Sequence, residues 1–187
     1  MKKLAIAMTV LMIISSVSFA HNGAISLYLD ETPSDCDYDL PLFLAVDIYI
    51  LHIRGNGPEL GKAVQFRILS TSPALQIGNE EWNPAKQLTM GSLTDGISVS
   101  FGNICLGQGN DVTYIGKFQV FNTGDTDTAR VKVVDDPTDK TSPGIYITIC
   151  DENNTKYRVL GGTFVINGSC DPAVEPKSWG AIKSMFE

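Results

Sequence analysis

The sequence predicts an all-β protein, a two-sheet antiparallel sandwich, on three observations. Apolar and polar residues alternate with period two along much of the chain. Turn-forming residues interrupt that alternation at short intervals, and no long stretch carries a helical period. Alternation places one row of side chains in a core and the other in water, as half-buried antiparallel strands require.

The elements follow in order. Ala24 to Leu29 is a first strand. Phe43 to Ile53 is apolar on both rows, which suits a central strand. Ala63 to Leu69 follows the turn-rich stretch Arg54 to Gly61, and Ile97, Val99 and Phe101 alternate with Ser98 and Ser100. Tyr114 to Phe121 is the next strand after the Gly107–Asp111 turn. Val131 and Val133 alternate with Arg130 and Lys132, and Ile145, Ile147 and Ile149 with Tyr146 and Thr148. Asn122–Thr128, Asp135–Gly144 and Asp151–Thr155 read as turns. Tyr157 to Ile166 closes the sandwich, with a break or bulge at Gly161-Gly162.

Met1 to Ala20 reads as a secretory signal peptide. Lys2 and Lys3 form its charged start, Leu4 to Ile14 its apolar run, and Ser18-Phe19-Ala20 a small-x-small cleavage site. Three segments result: the leader 1–20, a sandwich domain 21–173, and an amphipathic tail 174–187 that contains a short helix. In that helix Ser178 is the cap, and Trp179, Ile182 and Phe186 fall on one side, an apolar stripe that packs on the sandwich or, in the alternative reading, is recognised by a partner. Cleavage places the protein in the periplasm, at the cell surface or outside the cell. The leader's apolar run is too short to span a bilayer, and nothing later exceeds it, so no transmembrane segment is expected.

The formal net charge is −7 and becomes more negative when Lys2 and Lys3 are removed. That balance argues against nucleic acid, whose phosphates need a basic surface, and against an anionic membrane. Cys36, Cys105, Cys150 and Cys170 are an even count for an oxidising compartment and form two disulfides. Four cysteines allow three connectivities; the hairpin-like segment between Cys150 and Cys170 favours joining those two and leaves Cys36 for Cys105.

Metal sites are weakly encoded. Asp35, Asp37 and Asp39 alternate as in the first half of a calcium loop, but Leu40 stands where the sharp-turn glycine belongs and Val46 where the bidentate glutamate belongs. Calcium at this cluster, or at the acidic loops around Asp125, Asp127, Asp135, Asp136 and Asp139, is the lesser reading beside solvated turns. His21 becomes the first residue after cleavage, and with His52 it offers nitrogen ligands of the kind that suit Cu(II). His52, in a row with Val46, Ile48 and Ile50, reads rather as a strand-end or core-edge histidine, so no cofactor is assigned.

No Gly-x-Ser-x-Gly elbow, His-Glu-x-x-His pair or phosphate-binding glycine loop is present, so no catalytic residue is named and a non-enzymatic role is expected. Outward aromatic residues are the usual anchors of sandwich binding modules. Trp82, in the turn-rich stretch Asn79 to Pro84, and Tyr146, opposite the isoleucine row, are the candidates for contact with a protein or carbohydrate partner.

The strand order and spacing resemble cohesin-type and related bacterial immunoglobulin-like secreted sandwiches. The resemblance rests on Phe43–Ile53, GKAVQFRILSTSPALQIG at Gly61–Gly78, GISVSFGN at Gly96–Asn103, YIGKFQVFN at Tyr114–Asn122 and GGTFVING at Gly161–Gly168. The family's P-x-L-x-I turn is matched by Pro73, Leu75 and Ile77. Such a resemblance implies the sandwich fold and a binding rather than catalytic role. Cohesins of cellulose-degrading assemblies bind a dockerin, but no dockerin-like repeat accompanies this chain and its cysteine pairs have no counterpart in the family's needs, so that ligand is not carried over. The GAISLY start and Trp-Gly-x-Ile-Lys ending also resemble a class of exported bacterial proteins, a likeness that brings no activity.

The reading thus ends in a secreted binding or structural module, with copper chemistry at His21 or membership of an extracellular assembly as alternatives. N-terminal sequencing of exported protein is expected to start at His21; a chain that retains Met1 overturns the leader.

Overall fold

A computed structural model describes residues 23–124, 126–140 and 143–170. The leader, His21 and the tail with its expected helix lie outside them. Among the described residues thirteen strands form: β1 (Ala24–Tyr28), β2 (Asp37–Tyr38), β3 (Ala45–Ile53), β4 (Ala63–Ser70), β5 (Leu75–Trp82), β6 (Leu88–Ser92), β7 (Gly96–Ser100), β8 (Val112–Asn122), β9 (Ala129–Val134), β10 (Tyr146–Thr148), β11 (Lys156–Arg158), β12 (Leu160–Gly161) and β13 (Thr163–Ile166). They make the two-sheet sandwich that the alternation predicts.

One sheet has the order β12-β1-β3-β8-β5, with β3 central. The other runs β11-β10-β4-β9-β13-β2, and β7 joins β4 while β6 extends from β7. The core lies between them. Ile25 and Leu27 of β1, Ile48 and Ile50 of β3 and Phe118 and Val120 of β8 face Phe66 and Ile68 of β4, Val131 of β9 and Phe164 and Ile166 of β13 in one buried cluster. Burial of each such side chain contributes roughly 1.5–3 kcal/mol.

Several boundaries differ from the sequence expectation. The central strand starts at Ala45, because Phe43 has a φ of 60° and turns the chain before the ladder begins. Trp82 ends strand β5 rather than sitting in a turn: the register of β5 on β8 shifts between Gly78 and Glu81, and Glu81 and Trp82 rejoin the ladder opposite Lys117 and Gly116. The bulge absorbs Asn79 and Glu80, whose polar sequence reads as a loop. The short strands β2 and β6 carry too little alternation to be seen in the sequence.

The closing segment does break where two glycines stand together. β12 runs parallel to β1 in the first sheet, and β13 pairs with β9 in the second. Gly162 N–H donates to Ile25 O at 2.8 Å, while Val133 N–H donates to Gly162 O at 3.0 Å, so one residue is hydrogen-bonded to both sheets. A Cβ on Gly161 would come within 2.0 Å of Val133 O, and one on Gly162 within 2.4 Å of Ser26 Oγ.

The disulfides connect Cys36 to Cys170 and Cys105 to Cys150, which corrects the expected pairing. The segment from Cys150 to Cys170 is not a hairpin, since it crosses from one sheet to the other. β13 lies parallel to β2, with Val165 opposite Asp37, and this brings Cys170 to Cys36 with 5.9 Å between Cα atoms. β4 pairs with both β7 and β10, which carries the loop after β7, and with it Cys105, to Cys150. The sequence separations of 134 and 45 residues correspond to about 5 and 4 kcal/mol on the chain-entropy account.

Polar groups inside the sandwich are largely paired. Asp136 is 1% exposed and accepts from Gln65 Nε2 at 3.1 Å and from the Thr138 N–H and hydroxyl at 2.8 and 2.7 Å.

Peptide mapping without reduction is expected to recover Cys36–Cys170 and Cys105–Cys150, and a Cys150–Cys170 peptide overturns the topology. Gly161→Ala is expected to lower stability by about 2 kcal/mol or more in chemical denaturation, because its Cβ meets rigid backbone.

Candidate binding surfaces

The outer face of the five-stranded sheet is aromatic and polar. Tyr28, Tyr49 and Tyr114 occupy the strand positions between buried Leu27, Ile48, Ile50 and Ile115, so alternation turns them away from the core. Register gathers them: Tyr28 lies opposite Tyr49, and Tyr114 opposite Leu51. The rings of Tyr49 and Tyr114 are 6.0 Å apart, and Lys117 Nζ stands 5.8 Å from the Tyr49 ring.

A polar network surrounds them. Lys117 Nζ meets Asp47 at 3.1 Å and Glu81 at 3.3 Å. Gln119 donates to Asp47 at 2.8 Å and accepts from Asn79 Nδ2 at 2.6 Å. The amide of Gln119, with the Lys117 charge, holds the Asp47 carboxyl below its usual range, and the two carboxylates raise Lys117. Burial, with Glu81 nearby, raises the Tyr114 phenol.

A second surface is an apolar projection between β2 and β3. Leu42, Phe43 and Leu44 are 47%, 65% and 54% exposed, which is unusual for three consecutive large apolar residues. Their backbone is tightly held. Phe43 N–H donates to Asn122 O at 2.8 Å and Asn122 N–H to Leu44 O at 3.0 Å. Buried Asn122 also donates its side-chain amide to Leu40 O at 3.0 Å, while Asn167 Oδ1 accepts from Leu40 N–H at 2.7 Å. Leu40 itself is in the core. The left-handed backbone at Phe43 costs about 1–2 kcal/mol, and the asparagine clamp holds it.

The residues singled out in the sequence are scattered. Trp82 packs against the core margin; a Cβ on Gly116 would come within 2.7 Å of its Cε3. Tyr146 is half-buried on β10, with Lys156 Nζ 6.0 Å from its ring. Neither joins the tyrosine trio: Tyr146 belongs to the other sheet, and Trp82, although on β5 of the trio's own sheet, packs against the core margin. Trp179, Ile182 and Phe186 lie outside the described residues.

Asp37 lies in β2 and accepts the Cys170 N–H at 2.8 Å, while Asp35 and Asp39 are exposed. Asp135 pairs with Arg158 at 2.9 Å and Asp139 with Lys156 at 3.8 Å. Among the described residues no group of three His, Cys, Asp or Glu side chains is placed to hold a metal ion.

His52 is fully buried, not at the core's edge. Neither ring nitrogen has a hydrogen-bond partner among the described residues, and a Cβ on Gly23 would come within 3.0 Å of Nε2. Burial, reinforced by Arg54, pushes the imidazole from 6.5 down to about 4. It is therefore neutral at physiological pH.

No protein-family model matches the chain, and no curated protein sequence matches it. Solved structures do. The chain is similar to a cohesin module from a family 33 glycoside hydrolase of Clostridium perfringens, with a TM-score of 0.54, 8% identity, 80% of this chain and 99% of that chain covered. It is also similar to the third ScaB cohesin of R. flavefaciens, solved in complex with a group 1 dockerin, with a TM-score of 0.50, 12% identity and coverage of 80% and 97%. The fold is a cohesin-like β-sandwich. At these identities the likeness concerns architecture alone.

The unfolded chain takes up a proton on His52 near pH 6.5, and the folded one only near 4. Stability is thus full at neutral pH and falls through that window, by about 2 kcal/mol at pH 5. His52→Leu is expected to abolish this loss in denaturant titrations at pH 7 and pH 5; an unchanged difference overturns the assignment.

Proposed function

We propose that this chain is a secreted, non-enzymatic binding module that engages a protein partner at the cell surface or in the extracellular space. The carrying observation is the Leu42–Phe43–Leu44 projection. Apolar side chains held in water by a pinned, left-handed turn are stabilised when a partner covers them. A rigid anchor also loses little freedom on binding.

The two disulfides and the sequence leader support a location outside the cytoplasm. A non-catalytic role is supported by His52, which is sealed in the core with its ring nitrogens away from solvent. The R. flavefaciens cohesin, in complex with a dockerin, is a protein-binding sandwich of the same architecture. The reading takes from it a protein partner, not the dockerin.

Phe43 replaced by a photo-crosslinking aromatic residue is expected to yield one discrete adduct in the producing cells, lost when Leu42 and Leu44 are changed to Ser. Absence of any adduct, or one indifferent to those changes, overturns the reading. Both serine changes are at exposed positions and are expected to leave the melting temperature within a few degrees.

A further inference from the structure

Where the chain changes sheets at Gly161-Gly162 it leaves a concave corner on the outside of the sandwich, a cleft of about 430 Å³. Gly162 keeps a side chain off this corner, where a Cβ would meet Ser26. Ser26 and Tyr28 of β1, Thr163 and Val165 of β13, and Arg130 and Lys132 of β9 line it, and the Cys36–Cys170 bridge with Ser169 forms its rim. It shares no lining residue with the groove beside Leu42.

Arg130 and Lys132 are alternate residues on one strand, so their side chains leave the same face about 7 Å apart. Lys132 lies directly opposite Thr163, and Arg130 opposite Val165. Among the described residues, the ion pairs engage Arg54, Lys117, Lys156 and Arg158 and include neither of these cations. Asp37 lies opposite Val165 on its other side, and its carboxylate accepts the Cys170 N–H. Two adjacent cations outside every ion pair of the described residues are unexpected in a chain with 14 basic and 21 acidic residues.

The other polar groups in the cleft are hydroxyls. Ser26, Tyr28, Thr163 and Ser169 can each donate and accept. Tyr28 also presents a ring edge or face to anything in the cleft. A guanidinium forks onto a carboxylate, an ammonium adds a point charge, and hydroxyls with one aromatic ring suit a polyhydroxylated ring. We propose that this corner cleft binds a carboxylate-bearing sugar of the hexuronate type, with Arg130 and Lys132 on its carboxylate and Ser26, Tyr28 and Thr163 on its hydroxyls. A neutral sugar leaves both cations unpaired, and a simple carboxylate leaves the hydroxyls unused. The volume accommodates one such ring and is open enough for it to be part of a longer chain.

Calorimetric titration of the processed chain through Glu187 with sodium glucuronate, sodium acetate and glucose tests this. Glucuronate is expected to bind saturably, at least about tenfold more tightly than acetate, with no saturation by glucose. Arg130→Ala and Lys132→Ala are each expected to weaken glucuronate by about tenfold or more, Arg130→Lys by less, with melting temperatures unchanged because both side chains point outward. No saturable glucuronate binding overturns the proposal. So does binding that the double variant Arg130→Ala, Lys132→Ala leaves intact. Equal affinity for acetate and glucuronate overturns the sugar assignment.

Discussion

At Gly161 and Gly162 one stretch of backbone serves both sheets. Leu160 and Gly161 complete the ladder of β1, and two residues later the chain is hydrogen-bonded to β9 and then to β2. This crossing ties the layers together at a corner where any side chain would collide with backbone. Much else depends on it. It sets the direction of β13, which delivers Cys170 to Cys36, and places Asn167 where it clamps Leu40. It also hollows the outer corner into which Arg130 and Lys132 project.

The surface features are supported by that framework at low cost to the core. The apolar projection departs from the sandwich between Leu40, sunk in the core, and Ala45, already in the ladder. Asn122 and Asn167, at the ends of β8 and β13, replace the ladder hydrogen bonds the turn gives up. The tyrosine face is held differently, by side chains that brace one another across β3, β5 and β8. Lys117 and Gln119 are occupied by Asp47, Glu81 and Asn79, so the cation of this face is paired with two carboxylates. Among the described residues Arg130 and Lys132 have no such ion pair, which separates the corner cleft from the rest of this surface.

Much of the sandwich was legible because period-two alternation is a local property. Ile97, Val99 and Phe101, or Ile145 and Ile147, declare their buried row within a few residues. Gly161-Gly162 likewise announced a break. The binding surfaces were less legible. Tyr49 sits in a strand apolar on both rows, so its outward direction is masked, and its meeting with Tyr28 and Tyr114 requires the register of three strands. Phe43 and Leu44 looked like the start of that strand, and only the clamp from Asn122, 79 positions away from Phe43, turns them outward. Trp82 was the conspicuous aromatic, yet the bulge at Asn79 returns it to the ladder and the core margin.

What the sequence determined by itself was the class of fold, the presence of two disulfides and the positions of most strands, since burial pattern, cysteine parity and turn chemistry are written in neighbouring residues. Tertiary structure alone decided which cysteines pair, that His52 is sealed rather than marginal, and that Arg130 and Lys132 share a corner with Ser26, Tyr28 and Thr163. Those outcomes depend on which strands lie side by side. In a sandwich that is settled by contacts between residues far apart in the chain, at separations of 45 for Cys105 and Cys150 and 134 for Cys36 and Cys170, and no local pattern encodes them.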